Sequence, residues 1–150
     1  MEIQGKMIEA TREIFSSMVM MDIEVNEVME DHGPLNDTIT GMIGLAGTHK
    51  GVLAIHLPYS LAMAITSSFL VMDVKEINED VHDAVGEIAN MLGGNVKTIL
   101  SEKGRDIDLS LPSTISGSQY SFQSDKAVDK VIIEFDTGNG TFMVEMDLEK

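Results

Sequence analysis

One long amphipathic segment constrains the fold of this chain more than any other feature. Between residues 79 and 103, apolar side chains recur at helical spacing. On a helical wheel they form one continuous stripe, made of Val81, Val85, Ile88, Leu92, Val96 and Ile99. A helix with such a stripe must bury it against a sheet or another helix. The sequence predicts Asn78 as its N-cap and Gly104 as the residue that ends it.

The opposite side of this predicted helix carries polar and very small residues. Three polar residues follow i, i+4, i+7 spacing and stack along one line: Asp83, Glu87 and Asn90. Three glycines flank or continue that line: Gly86, Gly93 and Gly94. Each interior glycine costs a helix about 1 kcal/mol relative to alanine. The pattern therefore favours a smooth surface that a partner's backbone or concave site can approach closely, with Glu87 and Asn90 projecting from it.

Simpler interpretations of the same residues remain open. Acidic side chains near a helix start also complement the helix dipole. An asparagine on an exposed face can simply be solvated. The Gly93-Gly94 pair can mark a kink or a close helix crossing.

The amino-acid composition of the chain excludes several classes of binding partner. The 150 residues include 25 Asp and Glu against 10 Lys and Arg, which gives a formal net charge of −15. Phosphate backbones and anionic lipid surfaces repel such a chain, so we expect neither a nucleic-acid nor a membrane partner. Cysteine is absent, which excludes disulfides, thiolate metal sites and cysteine nucleophiles. Charges interrupt every candidate for a membrane span or signal-peptide core, so we expect a cytoplasmic protein.

The rest of the chain predicts an α+β fold. The predicted elements are a helix over 2–18, strands over 20–30, 37–46 and 51–57, a short helix over 58–70, and, after the long helix, strands over 106–117, 127–136 and 140–148. A polar loop is expected over 118–126. This order suggests one domain over 1–150, built from two αβββ halves with long helices packed on a mainly antiparallel sheet.

Other candidate sites are less well supported by the sequence. A metal site around His82, Asp83 and Glu87 is not expected, because His82 lies about 100° from Asp83 on the wheel. The glycines of segment 41–47 match neither a phosphate loop nor a dinucleotide fingerprint, and we interpret them as strand packing and turning. The twelve methionines are interpreted as core filler, with a methionine-rich docking surface as the alternative. We therefore predict no metal site.

The motif on the long helix resembles the CheC/CheX/FliY family of chemotaxis phosphatases, and most closely its single-site CheX-like branch. The family motif is an acidic residue or Ser, three positions, Glu, two positions, Asn, and, after about twenty-two intervening residues, a Pro. Here these are Asp83, Glu87, Asn90 and Pro112, with the proline one residue closer than the family spacing. The resemblance continues through the residues from Glu87 to Gly94. The two predicted αβββ halves extend it over nearly the whole chain, so it implies a CheC-like fold.

The resemblance also implies an activity. The expected substrate is the aspartyl phosphate of a CheY-like response-regulator receiver, in chemotaxis or a related two-component pathway. The receiver supplies a Mg²⁺ ion and a lysine, so this chain needs no cofactor of its own. By this resemblance Asn90 positions the attacking water and Glu87 docks to the receiver's lysine. Asp83 either supports the N-terminal region of the helix or touches the rim of the partner.

Two further expectations follow from the resemblance. The first helix offers Glu13 and Ser16, with Ser in place of Asn, which implies one site per chain. CheX-like chains also dimerise, so we expect a homodimer. The alternative function is a module that binds a receiver, or holds two chains together, without catalysis.

Overall fold

In the part of the chain that the structure describes, three α-helices lie on one face of a seven-stranded antiparallel sheet. The computed structural model describes residues 3–101, 105–124 and 127–150. Its helices are α1 (Ile3–Ile14), followed by a π-helical turn (Phe15–Val19), α2 (Tyr59–Leu70) and α3 (Glu79–Leu100). Its strands are β1 (Glu24–Met29), β2 (Leu35–Gly47), β3 (Gly51–Pro58), β4 (Ile107–Leu109), β5 (Ser113–Tyr120), β6 (Val128–Asp136) and β7 (Thr141–Glu149). Within these described ranges, none of the helices is both long enough and apolar enough to cross a bilayer.

The strand order has the symmetry expected of two related halves. The sheet runs β1-β6-β7-β3-β2, and both β4 and β5 pair with the outer edge of β2. Exchanging β1, β2 and β3 with β5, β6 and β7 reproduces this order in reverse. The two αβββ halves therefore meet where β3 pairs with β7, and α1 packs on α3 above that centre. The predicted α+β fold of two halves is confirmed, with α2 and β4 as additions to it.

Both predicted long helices are shorter than their apolar patterns suggested. The first was predicted to reach residue 18, but its α-helical part ends at Ile14 and a π-helical turn follows. The helix predicted to reach residue 103 ends at Leu100. There the side chain of Ser101 accepts a hydrogen bond from the backbone N–H of Asp106, which redirects the chain. The predicted terminator, Gly104, lies outside the described residues.

The strand predicted over 106–117 is two strands instead of one. Pro112 has no N–H to donate to a ladder, and the chain leaves the sheet around it. Beside this break the hydroxyl of Ser110 accepts a hydrogen bond from the backbone N–H of Gly44 at 2.8 Å. The second strand then continues to Tyr120, so the loop predicted over 118–126 was wrong for its first three residues. Positions 125 and 126 lie outside the described residues.

Helix α3 lies unusually close to strand β2. A Cβ atom added to Gly41 would lie 2.9 Å from Cγ1 of Val85 and 3.0 Å from its carbonyl oxygen. A Cβ atom on Gly93 would lie 3.1 Å from two carbons of Ile43. Glycine at these positions removes the side chains that would hold helix and strand apart. The interpretation of segment 41–47 as packing residues is confirmed for Gly41.

The face of the sheet away from the helices buries a charged cluster. Glu145 and Asp147 of β7 are both buried there, beside His56 of β3. Burial raises the pKa of Asp147 to about 7, and its hydrogen bond with Glu145 acts in the same direction. Burial also acts to raise the pKa of Glu145, but hydrogen bonds from His56 and Asp147 hold it at about 2. Burial lowers the pKa of His56, which favours its neutral ring.

We predict that Gly41→Ala destabilises the fold by about 1–3 kcal/mol, the usual cost of overpacking a tight contact. Gly94→Ala is the matched control, because a Cβ atom there meets nothing within 4 Å. It should stabilise α3 by about 0.5–1 kcal/mol. Urea unfolding of the two variants measures both effects. Equal stability of Gly41→Ala and the unsubstituted protein would contradict the close helix–strand contact.

Candidate functional site

Helix α3 exposes a line of polar residues on the side away from the sheet. Asp83, Glu87 and Asn90 are exposed, as their i, i+4, i+7 spacing predicted. The start of the helix is fixed by the predicted N-cap, since the side-chain oxygen of Asn78 accepts a hydrogen bond from the N–H of Val81 at 3.2 Å. The apolar stripe opposite is buried, except for Ile99, which is half-buried beside α1. The two candidate catalytic residues, Glu87 and Asn90, thus project from the outer surface of a rigidly packed helix.

The three glycines do not share one environment. Gly94 is exposed and continues the polar line. Gly86 and Gly93 are buried. The expectation that all three glycines smooth a partner-binding surface therefore needs correction, because only Gly94 lies on that surface. Gly93 instead allows α3 to pack closely on Ile43 of the sheet, whereas a Cβ atom at Gly86 would make only ordinary contacts.

The proline of the sequence motif lies beside the helix that carries the other motif residues. A Cβ atom on Gly86 would lie 3.9 Å from Cβ of Pro112 and 3.6 Å from Cγ2 of Thr114. Pro112 thus borders α3 one turn before Asn90, although it follows Asn90 by twenty-two positions in the sequence. The preceding residue, Leu111, is 86% exposed. This segment borders the polar line of α3 on one side.

An apolar depression borders the polar line of α3 on its other side. It has a volume of about 440 Å³. Its lining residues are Met18, Met20, Ser68, Phe69, Leu70, Glu87 and Met91. Met20 is 77% exposed and Met18 is 53% exposed. We define these two methionines together with Met91 as the methionine surface.

The methionine surface corrects part of the sequence interpretation. Core filling is confirmed for Met7 and Met146, which are buried. It is wrong for Met18 and Met20. The π-helical turn and the left-handed backbone of Met20, with φ at 61°, turn this segment outward after α1. The spacing of apolar residues in this segment does not indicate such a turn.

His82 does not face the acidic residues of the polar line. Its Nδ1 atom lies 2.7 Å from the hydroxyl of Thr114, and its Nε2 atom lies 3.2 Å from the hydroxyl of Ser116. Both contacts direct the ring toward β5, as its position on the wheel indicated. His82 therefore joins α3 to the sheet and is not combined with Asp83 and Glu87.

The first helix does not reproduce this arrangement. Glu13 and Ser16 are exposed, beside an open cavity of about 640 Å³. However, the helix changes to a π-helical turn at Phe15, between the two residues. The hydroxyl of Ser16 also donates to the carbonyl oxygen of Glu13 at 3.3 Å. A single hydroxyl that is already bound to the backbone is a poor substitute for a free carboxamide, so this pair lacks the chemistry of Glu87 and Asn90.

Comparison with known proteins assigns this fold to a class of signalling proteins, the chemotaxis phosphatases. Residues 39–136 match the family model described as chemotaxis phosphatase CheX. This match covers more than half of the chain. The chain therefore belongs to the CheX family of chemotaxis phosphatases, as the resemblance of its motif indicated.

Individual relatives agree with this assignment. The CheY-P phosphatase CheX of Thermotoga maritima is 24% identical over 94 residues, which are 62% of this chain and 61% of that relative. A CheC-like superfamily protein from Shewanella sp. PV-4 has a TM-score of 0.89 and 26% identity, over 99% of this chain and 98% of the other. The CheX-CheY-BeF3-Mg complex from Borrelia burgdorferi gives a TM-score of 0.82 with 20% identity, over 99% of this chain and 98% of the other. This last similarity concerns the fold alone.

Proposed function

We propose that this protein hydrolyses the aspartyl phosphate of a CheY-like receiver domain, in chemotaxis or a related two-component pathway. The observation that carries the proposal is the exposure of Glu87 and Asn90 on one line of α3, in a chain of the CheX family. Two relatives support the choice of partner: one is named a CheY-P phosphatase, and one forms a complex with CheY, BeF3 and Mg²⁺.

The position of Asn90 suits a water-orienting role. It lies on a convex helix surface, so the closed environment needed for catalysis must come from the partner. A receiver that already holds Mg²⁺ and its phosphoryl group lacks only a correctly placed water. The carboxamide oxygen can accept a hydrogen bond from that water while the NH₂ group donates to a phosphoryl oxygen. Orienting the nucleophile in this way is a recognised source of rate enhancement in phosphoryl transfer.

Glu87 suits a docking role. It lies one turn before Asn90, beside the methionine surface. Its carboxylate can pair with a lysine at the rim of the receiver's phosphorylation site, which would fix the register of α3. Asp83 lies one further turn away, so we assign it to the rim of the contact. Gly94 would allow the partner's backbone to approach the other end of the line.

The methionine surface supplies apolar contact area next to this polar line. Methionine side chains are flexible and polarisable, so they adapt to a partner's shape. The proposed receiver contact therefore combines the polar line of α3 with the apolar depression beside Glu87. The Mg²⁺ ion of the reaction is expected on the receiver, and this chain needs no cofactor for it.

Two further properties are proposed from the family resemblance alone. We propose that the chain forms a homodimer. We also propose that it acts in the cytoplasm, because a receiver of this kind is a cytoplasmic signalling domain.

Asn90→Ala should lower the rate of receiver dephosphorylation at least about 100-fold, because a misplaced nucleophile costs roughly that much. Affinity for the receiver should change little, since positioning acts mainly in the transition state. Phosphate release and receiver binding measure the two quantities. Asn95→Ala is the matched control, because Asn95 is also exposed on α3 but lies beside α1, away from the polar line.

Two results would distinguish the alternatives. An equal loss of binding and turnover in Asn90→Ala would contradict the water-orienting role. Receiver binding by the unsubstituted protein without any faster phosphate loss would support a non-catalytic binding module instead.

Glu87→Gln should weaken binding to the phosphorylated receiver about 10-fold or more, because it removes the charge of a charge-assisted pair while keeping the shape of the side chain. Glu79→Gln is the control, since Glu79 is exposed in the first turn of the same helix. Titration calorimetry with a stably phosphorylated receiver mimic measures the affinities. Unchanged affinity with reduced turnover would move Glu87 from docking to catalysis.

The double substitution Met18→Gln and Met20→Gln should lower receiver affinity about 10-fold, because it removes exposed apolar area from the proposed contact. Val28→Gln is the control, since Val28 is an exposed apolar residue on β1, a different part of the fold. The same titrations measure this effect. Equal affinities for all three proteins would exclude the methionine surface from the contact.

A further inference from the structure

Three ligand-type side chains converge on the face of the sheet away from the helices. Glu145 lies on β7, His56 on β3, and His32 in the connection between β1 and β2. The side chains of Glu145 and His56 are fully buried, and that of His32 is 3% exposed. Oε1 of Glu145 lies 2.8 Å from Nε2 of His32 and 2.9 Å from Nε2 of His56. Both imidazole rings therefore point their Nε2 atoms at one carboxylate oxygen.

The hydrogen bonds of His32 determine which of its nitrogens carries a proton. Its Nδ1 atom lies 2.7 Å from the carbonyl oxygen of Gly33. A carbonyl oxygen only accepts, so Nδ1 must be the donor. In the neutral ring Nε2 then bears a lone pair, which would face the lone pairs of Glu145 at 2.8 Å. Either a further proton or a cation must lie between these two atoms.

The surroundings of His56 allow the same arrangement. Its Nδ1 atom lies 2.7 Å from the hydroxyl of Thr40, which lies 2.6 Å from the hydroxyl of Tyr120. In the metal-free protein Nε2 donates to Glu145. In the other tautomer the hydroxyl of Thr40 accepts from Nδ1 and donates onward to the tyrosine, and Nε2 then bears a lone pair that a metal ion can use. Metal-binding histidines are characteristically held in this way, with the other ring nitrogen donating to a fixed oxygen.

The carboxylates of the cluster are not fully satisfied by hydrogen bonds. Among the residues that the structure describes, Oε2 of Glu145 and Oδ1 of Asp147 are buried and meet no hydrogen-bond donor other than the proton of the hydrogen bond between these two carboxyl groups. Lys130 offers an ion pair to Oε2 of Glu145 at 3.4 Å, but it leaves Oε1 to the two histidines. The hydrogen bond between Asp147 and Glu145 accounts for a proton on this pair. The contact that still needs a proton or a cation is the one between Oε1 of Glu145 and Nε2 of His32.

We propose that His32, His56 and Glu145 form a binding site for a divalent transition-metal ion of the zinc type. Their ligand atoms all lie within 4.8 Å of one another. Two imidazole nitrogens and one carboxylate oxygen suit Zn²⁺ or Co²⁺ and are a poor match for Mg²⁺ or Ca²⁺, which prefer oxygen ligands. Ligand atoms around tetrahedral zinc are roughly 3.3 Å apart. The two Nε2–Oε1 distances would therefore open by roughly 0.5 Å on binding.

The segments that cover the cluster also border a cavity. Its volume is about 200 Å³, and its lining residues are Asp31, Gly33, Pro34, Ser121, Phe122 and Gln123. The ring of Phe122 packs edge-on against His56 with 4.9 Å between centroids. An ion can reach the cluster from this side if the two covering segments separate slightly. A bound ion would then join the β1–β2 connection to β3 and β7.

The proposed ion would lie across the sheet from Glu87 and Asn90. Its effect is therefore on the stability of the fold, and the proposal is independent of the receiver chemistry. Its failure would leave the phosphatase proposal intact, and the reverse also holds.

Metal-depleted protein titrated with Zn²⁺ tests this proposal. We expect one ion per chain, a rise in the unfolding temperature on binding, and visible absorption bands of tetrahedral Co²⁺ when that ion is used instead. His56→Ala should weaken binding more than about 100-fold, beyond the effect typical of losing an outer contact. His32→Gln should weaken metal binding by a similar factor. Because His32 lies in a connection between strands, this substitution should disturb folding less than His56→Ala. His49→Gln is the matched control, since His49 lies in the β2–β3 turn away from the cluster.

Circular dichroism confirms that each variant is folded before its affinity is compared. No stoichiometric binding by the unsubstituted protein would overturn the proposal. Undiminished affinity in a folded His32→Gln protein would also overturn it. Loss of binding in His49→Gln would assign the ion to a surface histidine and would exclude the buried cluster.

Discussion

The close packing of α3 on β2 determines what this protein can present to a partner. Gly41 allows Val85 to approach β2 at a distance that any side chain would prevent. About two turns further along α3, Gly93 allows a similarly close contact with Ile43 of β2. Because the buried side of α3 is fixed by these contacts, its rotation about its own axis is fixed as well. The exposed line that carries Glu87 and Asn90 is a direct consequence.

A fixed helix is a suitable scaffold for a reaction in which the partner holds most of the reactive groups. Orienting one water requires an error well below the size of the water itself, so a side chain on a packed helix is better placed than one on a loop. The surfaces on the two sides of the polar line differ in chemistry. Pro112 lies on one side and the methionine surface on the other. This asymmetry would favour one orientation of the receiver. The cluster of His32, His56 and Glu145 lies on the opposite face of the same sheet and would stabilise it without entering the reaction.

Local patterns in the sequence predicted the parts of the structure that depend on local spacing. The period of α3, its Asn78 cap and the exposure of Glu87 and Asn90 all follow from residues within a few turns of one another. The order of elements was sufficient for the α+β fold of two halves. The prediction that Gly86 belongs to the exposed surface failed, because a wheel position at the margin of a stripe can face either way. Its neighbours Pro112 and Thr114 come from a distant segment.

Features that depend on distant segments could not be predicted in this way. His56 and Glu145 are 89 positions apart, and only the pairing of β3 with β7 brings them together. The outward turn of Met20 depends on a π-helical turn, which has no clear sequence signature here. The break at Pro112 was foreseeable, since proline interrupts strand ladders, but the apolar pattern around it outweighed that signal.

The most direct test of the phosphatase account is the lifetime of the aspartyl phosphate on CheY-like receivers of the same organism, measured with and without substoichiometric amounts of this protein. The account predicts that the phosphate on at least one receiver is lost faster in proportion to the amount of protein added, with each chain acting many times. An unchanged lifetime for every receiver would contradict it.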